Sequence, residues 1–444
     1  MKVLIANYRY FVSSGPERYL FNITRQLERR GHEVAPFSVR YARNLDTPYA
    51  KYFVSSIGAD DEVYFEEHKK TPSMVAKGVA RLFYSPEVEA SVTRLARDFR
   101  PDVAYILYFM RKMSPSLLAG LHKQGVPIVM RISDYGVFCA EHHALRDGKP
   151  CTLCVNGNFL HAVRHRCVKG SLPISALDAA ANYFHRARGY FDLVDAFVAT
   201  NTFMKDMMID AGYDARKIHV IPTFTDIERF TPPPADAPRT YFLYAGRLDP
   251  PKGVETLIRA ARRLKDRLGD KAPTIKLAGA AHTGGYAEGL QALAADLDVA
   301  DRVDFIGYIE PDDLPALYRG AIAYVSPALW FENLPNTLIE SMACATPPVV
   351  SDIGSLRASV ENGVDGLTFA PGDDEALAGR LFALLDDAAL HARLSQGALR
   401  RAREVYAPGP HMERLSPLLE GLARKSRGSA TATAEKSPAI QFGL

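Results

Sequence analysis

The segment Ala321–Val350 reads AIAYVSPALWFENLPNTLIESMACATPPVV, and it admits few folds. Ala321 to Val325 is an apolar run with no polar alternation, the pattern of a strand buried on both faces of a parallel sheet. Pro335 holds Leu334 extended and presets a first helical turn, so a helix is predicted over Thr337–Cys344. Pro347 and Pro348 stop that helix, and Val349-Val350 begins a second strand. The unit is strand, loop, helix, strand. Further apolar runs predict strands at Lys2–Asn7, Val103–Leu107, Ile128–Ile132, Ala196–Thr200, Ile218–Ile221, Tyr241–Tyr244, Ile275–Ala278 and Val303–Ile306, with helical stretches between them. Such alternation predicts an α/β protein of doubly wound parallel sheets, in which ligands bind outside the carboxyl ends of the strands.

A chain of 444 residues is too long for one core, and two domains of ~150–200 residues are expected. The break falls at PTFTDIERFTPPPADAPR, Pro222 to Arg239, whose prolines make a stiff linker. The expected layout is a domain at 1–222, a linker at 223–239, a second domain at 240–404, a closing helix at 405–425 and a small, polar, disordered tail at 426–444. Residues 1–230 hold 31 Lys+Arg against 24 Asp+Glu, a balance of +7, and the remainder hold 23 against 27, a balance of −4. The basic half leaves open contact with an anionic lipid surface or a pyrophosphate-linked acceptor, and equally no such role. MKVLIAN runs directly into a strand and lacks a signal-peptide core. No apolar run reaches the length of a membrane span, and five cysteines do not make a secreted disulfide scaffold. The expected compartment is the cytoplasm, and no nucleic-acid partner is expected.

Several side chains fall where strands end. Glu332 lies on the loop after Ala321–Val325 and Glu340 on the helix that follows. Backbone N–H groups at Asn336 and Thr337 would point out of the helix N-terminus, a ready anion site. Carboxylates beside an anion site suit a ligand with both phosphates and sugar hydroxyls. The alternative is that Glu332 caps its own helix and Glu340 is solvated. Gly246-Arg247 follows Tyr241–Tyr244, and Lys252-Gly253 opens the next helix, whose expected core stripe is Leu257, Ile258, Ala261, Leu264 and Leu268. A forked guanidinium and a compact ammonium five residues apart can reach one diphosphate, although two solvated cations read the same way. Near the N-terminus, Ser14 and Glu17 have capping-box spacing around Gly15, ahead of an apolar stripe at Leu20, Ile23 and Leu27.

Residues 138–168 hold Cys139, Cys151, Cys154 and Cys167, four of the five cysteines. A Cys-x2-Cys flanked by two further cysteines fits a tetrahedral thiolate site, with structural zinc the first candidate occupant and an iron–sulfur cluster the second. His142, His143, His161 and His165 are further candidate ligands. Reduced thiols in a loop, or one disulfide, remain the simpler alternatives.

Three patterns together carry a family resemblance: Glu332-x7-Glu340 followed by SMA-x-x-TP-x-VVSD, GR-L-x-x-x-KG at Gly246–Gly253, and NG-x-x-G at Asn362–Gly366. The chain resembles the retaining glycosyltransferases of family 4 over 1–40 and 195–425. The resemblance implies a GT-B fold, two Rossmann-like domains facing across a cleft, with the terminal helix crossing back onto the first domain. It implies that Arg247 and Lys252 bind the pyrophosphate of a nucleotide-diphosphate sugar, that Glu332 lies near the transferred sugar, and that Glu340 accepts from the ribose hydroxyls. It further implies that Gly15 lets backbone approach the donor and that the backbone at Ile309 meets the base. Asp134 matches half of a His-Asp pair of the family, and Ser133 stands in the position of that His. Ala345 stands where the family often has Gly. The expected acceptor is a glycan or a lipid-linked acceptor, the latter suggested by the basic N-terminal half, with peripheral membrane contact an option. Catalysis is expected to need no metal. The alternatives are an epimerase or a phosphorylase of the same fold, or a zinc-dependent binding protein on an inactive transferase fold.

Overall fold

The computed structural model describes residues 1–13, 15–58, 71–281 and 284–434, and the side chains of these up to residue 426. Ser14, half of the expected capping box, lies outside the described residues.

The first domain is a six-stranded sheet built from β1 (Lys2–Asn7), β2 (Glu33–Phe37), β3 (Val103–Tyr108), β4 (Ile128–Arg131), β5 (Ala196–Ala199) and β6 (Ile218–Val220), in the order β2-β1-β3-β4-β5-β6. The second is built from β7 (Tyr241–Ala245), β8 (Thr274–Ala278), β9 (Val303–Gly307), β10 (Ala321–Ser326), β11 (Pro348–Ser351) and β12 (Leu367–Phe369), in the order β9-β8-β7-β10-β11-β12. All pairings within both sheets are parallel. β12 has no counterpart in the sequence reading. It is three residues long, and the turn before it, closed by Gly363 N–H on the Gly366 carbonyl, hides so short a run.

The predicted apolar stripes are the packing faces. Helix α1 (Gly15–Arg29) buries Leu20, Ile23 and Leu27 against β1 and β3. Helix α2 (Val254–Leu268) buries Leu257, Ile258, Ala261 and Leu264 on the second sheet. Each leucine or isoleucine among them contributes about 1.5–3 kcal/mol when removed from water. Helix α3 (Asn336–Ala343) begins one residue after Pro335, which is its N-cap, and ends through Ala345 in the left-handed region at φ 54°.

Helix α4 (Pro408–Ala434) sets Met412, Leu415 and Leu419 into the core of the first domain, beside Val3, Ile5 and Leu20. Pro408 and Pro410 stand in its first turn, where missing N–H groups cost nothing. The helix continues past 425, so the tail expected to be disordered from 426 is helical to Ala434. Its alanines at 430, 432 and 434 favour helix, and elongating a formed helix avoids the cost of a new nucleus. Residues 435–444 lie outside the described residues. No described helix is long and apolar enough to cross a membrane.

Candidate active site

In the second sheet, strand order reverses between β7 and β10, and the crevice outside their carboxyl ends is where such folds hold ligands. The loops after these two strands carry Arg247, Lys252 and Glu332. They are held together by backbone: Leu329 N–H donates to the Pro251 carbonyl at 2.8 Å. Gly253, at φ 68°, sits where a Cβ would come within 2.0 Å of the Pro327 carbonyl oxygen, so only glycine fits. That contact brings Lys252 Nζ to 2.5 Å from Glu332 Oε1. Trp330 Nε1 donates to the same oxygen at 2.8 Å, and its ring lies 5.4 Å from the Lys252 ammonium. Glu332 is 7% exposed, and these two donors satisfy its buried side-chain oxygen. Arg247 is bonded to Asp249 at 3.1 Å and is the more exposed cation of the two. Gly246 precedes it with a carbonyl packed against Gly279, at the end of β8.

Helix α3 presents Asn336 and Glu340, one turn apart, to the first domain. Asn336 Nδ2 donates to the Gly15 carbonyl at 3.4 Å, and Arg18 Nη1 donates to Glu340 Oε1 at 3.0 Å. The amino ends of α1 and α3 therefore meet across the cleft in register. Tyr318 Oη donates to Glu340 Oε2 at 3.1 Å. Burial pushes the Glu340 carboxyl above the usual carboxylate range, while Arg18 and Tyr318 oppose that rise. Thr337 shares a hydrogen bond with the Tyr324 hydroxyl at 2.8 Å. Ile309 lies on the loop after β9, packed against the core that holds Tyr318 and Leu338.

The opposite wall follows β4. Ser133 is engaged on both sides, accepting from Arg131 at 2.9 Å and donating to the Leu107 carbonyl at 2.8 Å. Asp134 instead pairs with His142, whose Nδ1 lies 3.2 Å from Oδ2. Burial works to raise the Asp134 carboxyl, but His142, the Gly136 N–H and the Tyr108 hydroxyl hold it below its usual range. Burial and the nearby Arg111 depress His142, so at neutral pH the ring is uncharged and donates Nδ1–H to Asp134. A histidine thus reaches this aspartate from eight residues further along the chain, not from position 133. Tyr135 Oη donates to the Glu332 carbonyl at 2.9 Å, and the His143 ring stands 5.7 Å from that of Trp330. Asn333 completes the seam. Its Nδ2 donates to the Ile132 carbonyl at 3.1 Å, its own carbonyl accepts from Asn201 at 3.0 Å, and its side-chain oxygen accepts from Thr200.

The structure gathers Gly15, Lys252, Glu332, Asn336 and Glu340 at one interdomain crevice. It adds Arg18, Tyr135, His142, Trp330 and Asn333, to which sequence reasoning gave no part in the cleft. Of these only Arg18 had a signal, three residues beyond Gly15 on the same helical face. Tyr135 and His142 arrive by the path of a long loop.

Cys139, Cys151, Cys154 and Cys167 line one cavity of about 20 Å³. Burial, with the other three sulfurs adding to it, pushes the Cys154 thiol up to about 12. Burial likewise raises Cys167 to about 11. Among the described residues, no three His, Cys, Asp or Glu side chains stand together in metal-ligating geometry.

Residues 13–229 match the model of the family described as Glycosyltransferase Family 4, and residues 227–401 match that of Glycosyl transferases group 1. The chain is 33% identical over 229 residues to a D-inositol 3-phosphate glycosyltransferase of Salinispora tropica, covering 47% of each chain. A relative of the same name in Acidothermus cellulolyticus is 32% identical over 238 residues, 50% of this chain and 53% of the relative. The chain thus spans about half the length of the curated relatives it matches. Among solved structures, sucrose-phosphate synthase from Thermosynechococcus elongatus superposes with a TM-score of 0.66 at 18% identity, over 98% of this chain and 100% of that one. Anabaena HepE in complex with UDP superposes with a TM-score of 0.61 at 17% identity, over 97% and 100%. The fold is GT-B.

Proposed function

We infer the activity from one premise: the chain belongs to the group 1 glycosyltransferases of family 4, whose two models together span residues 13–401. We propose that it moves a hexosyl group from a nucleotide-diphosphate sugar to an acceptor, with retention at the anomeric carbon. The observation that carries this reading is the Lys252–Glu332 pair, set by Gly253 at the strand-order reversal.

In the proposed reaction the bond between the anomeric carbon and the phosphate breaks, and negative charge grows on the leaving diphosphate. Lys252, Arg247 and the amino end of α3 at Asn336 and Thr337 stabilise that charge as a preorganised set. Glu332, already fixed by two donors, positions the sugar. Glu340 takes the ribose hydroxyls, Gly15 admits the donor's phosphates to the backbone, and Ile309 flanks the base. Asp134, bonded by neutral His142, faces the acceptor. A uridine nucleotide is favoured, since HepE binds UDP and UDP-glucose in structures of the same fold. The basic first domain supports a glycan or lipid-linked acceptor, in polysaccharide or glycolipid synthesis at the inner face of a membrane.

The test is product analysis. The full chain is incubated with UDP-, GDP- and ADP-sugars and candidate acceptors, and the anomeric configuration of the product is read by NMR. An α-linked product from an α-linked donor supports the reading. An inverted product overturns retention. Donor isomerisation without an acceptor, or turnover that requires free phosphate, overturns transfer itself in favour of an epimerase or a phosphorylase.

A further inference from the structure

We propose that Cys139, Cys151, Cys154 and Cys167 bind one zinc ion as a tetrathiolate, and that this ion fixes the wall of the cleft that carries His142 and His143.

The chain brings these sulfurs together from three separate turns. Cys139 ends the turn after Asp134, and its N–H donates to the Tyr135 carbonyl at 2.8 Å. Cys151 and Cys154 follow a two-stranded hairpin, Leu145–Arg146 with Lys149–Pro150, and Cys151 N–H closes on the Ala144 carbonyl at 2.8 Å. Cys167 follows the short helix Leu160–Arg164 and is tied to the Ala162 carbonyl at 3.0 Å. The cavity they line is enclosed by Phe138, Leu145, Val155 and Ala162. At about 20 Å³ it has room for a single small occupant.

Two observations point to a cation and not to a water molecule. Four cysteine sulfurs, poor partners for water and strong ones for a soft divalent ion, line the cavity, with Glu141 beside them. The loop also holds non-glycine residues in the left-handed region, His142 at φ 76°, Ala144 at 49° and Asp147 at 50°. Such conformations persist only where the surroundings over-determine them. Binding the ion would require side-chain rotations that bring the four sulfurs round one point, an arrangement that the described residues do not adopt without it. Each thiol then gives up its proton to solvent as its sulfur takes the ion, so the step needs no oxidant.

The consequence lies in the cleft. His142 sits on Asp134 and His143 on Trp330, and both follow Cys139 within four residues. Pinning Cys139 therefore pins both rings.

The test uses the full chain, purified without added metal or chelator, with metals measured by inductively coupled plasma mass spectrometry. About one zinc per chain is expected, released when a mercurial titrates the thiols. Cys151→Ser with Cys154→Ser should abolish the zinc. Cys154→His, which keeps a zinc ligand, should retain it and so separate ligand loss from misfolding. The intact protein should also show native mass with four thiols slow to react with a thiol reagent. A metal-free chain with freely reacting thiols, a mass deficit marking disulfides, or zinc that persists in the double serine variant overturns the proposal. Iron with inorganic sulfide overturns zinc as the occupant.

Discussion

Arg18 and Glu340 stand 322 residues apart in sequence and 3.0 Å apart in space, and they join the first helix of one domain to the last carboxylate of the other domain's cleft. With Gly15 against Asn336, the pair sets the register between the two helix ends. The carboxylate that would meet a ribose is thus held by the opposite domain, so a nucleotide that engages Glu340 has to share it with Arg18 or displace it.

Arg18→Ala should lower stability by about 1–3 kcal/mol, because it leaves a buried carboxylate with only the Tyr318 hydroxyl. Glu340→Gln, which needs no cation, should cost less. The double variant should cost less than the sum of the two, as denaturant unfolding in a double-mutant cycle would show. Additive losses would mean that the two side chains are not coupled.

If Lys252 and Arg247 stabilise the leaving diphosphate, replacing either with Ala should cost ~2–4 kcal/mol of barrier, read as kcat/KM with a cognate donor. Lys252→Ala should be the more damaging, since it also strips Glu332 of its cation. Near-normal turnover in both variants would refute the assignment.

Ala345→Gly should stabilise the protein by about 0.5–1 kcal/mol. Ala345 is held at φ 54°, a region that costs a Cβ-bearing residue and not glycine. A higher thermal midpoint with unchanged activity is expected. An unchanged or lower midpoint would show that the Ala345 methyl contributes more by packing than it costs in strain.

His411 should make the protein acid-sensitive. Its Nδ1 donates to the Pro222 carbonyl at 2.7 Å, so its Nε2 accepts from the Tyr19 hydroxyl at 3.1 Å, and the ring is neutral. Burial pushes it down to about 3, from an ordinary 6.5. The unfolded chain therefore binds this proton first. The stabilisation is complete above pH 6.5 and declines as pH falls towards 3, by about 1.4 kcal/mol per pH unit. Unfolding free energies at pH 6, 5 and 4 should fall with close to this slope, with depressed His142 and His185 adding to it. His411→Asn should flatten the profile by one proton. A parallel profile in that variant would exclude His411 as a source.

The strands and the α1 and α2 faces were legible because burial leaves a local trace: an apolar run for a strand covered on both faces, a 3.6-residue stripe for a helix covered on one. Lys252 and Glu332 were legible as members of motifs, since the loops that carry them follow directly from the strands. By itself the sequence determined two parallel-sheet domains, the crevice at the carboxyl ends of β7 and β10, and the charged residues placed there. Only the tertiary structure decided that Arg18 faces Glu340, that His142 and not residue 133 serves Asp134, that four cysteines share one cavity, and that the chain stays helical to Ala434. The reason is physical. Those relationships depend on how two domains dock and how a long loop folds back, and the interactions that fix them join residues with no common periodicity.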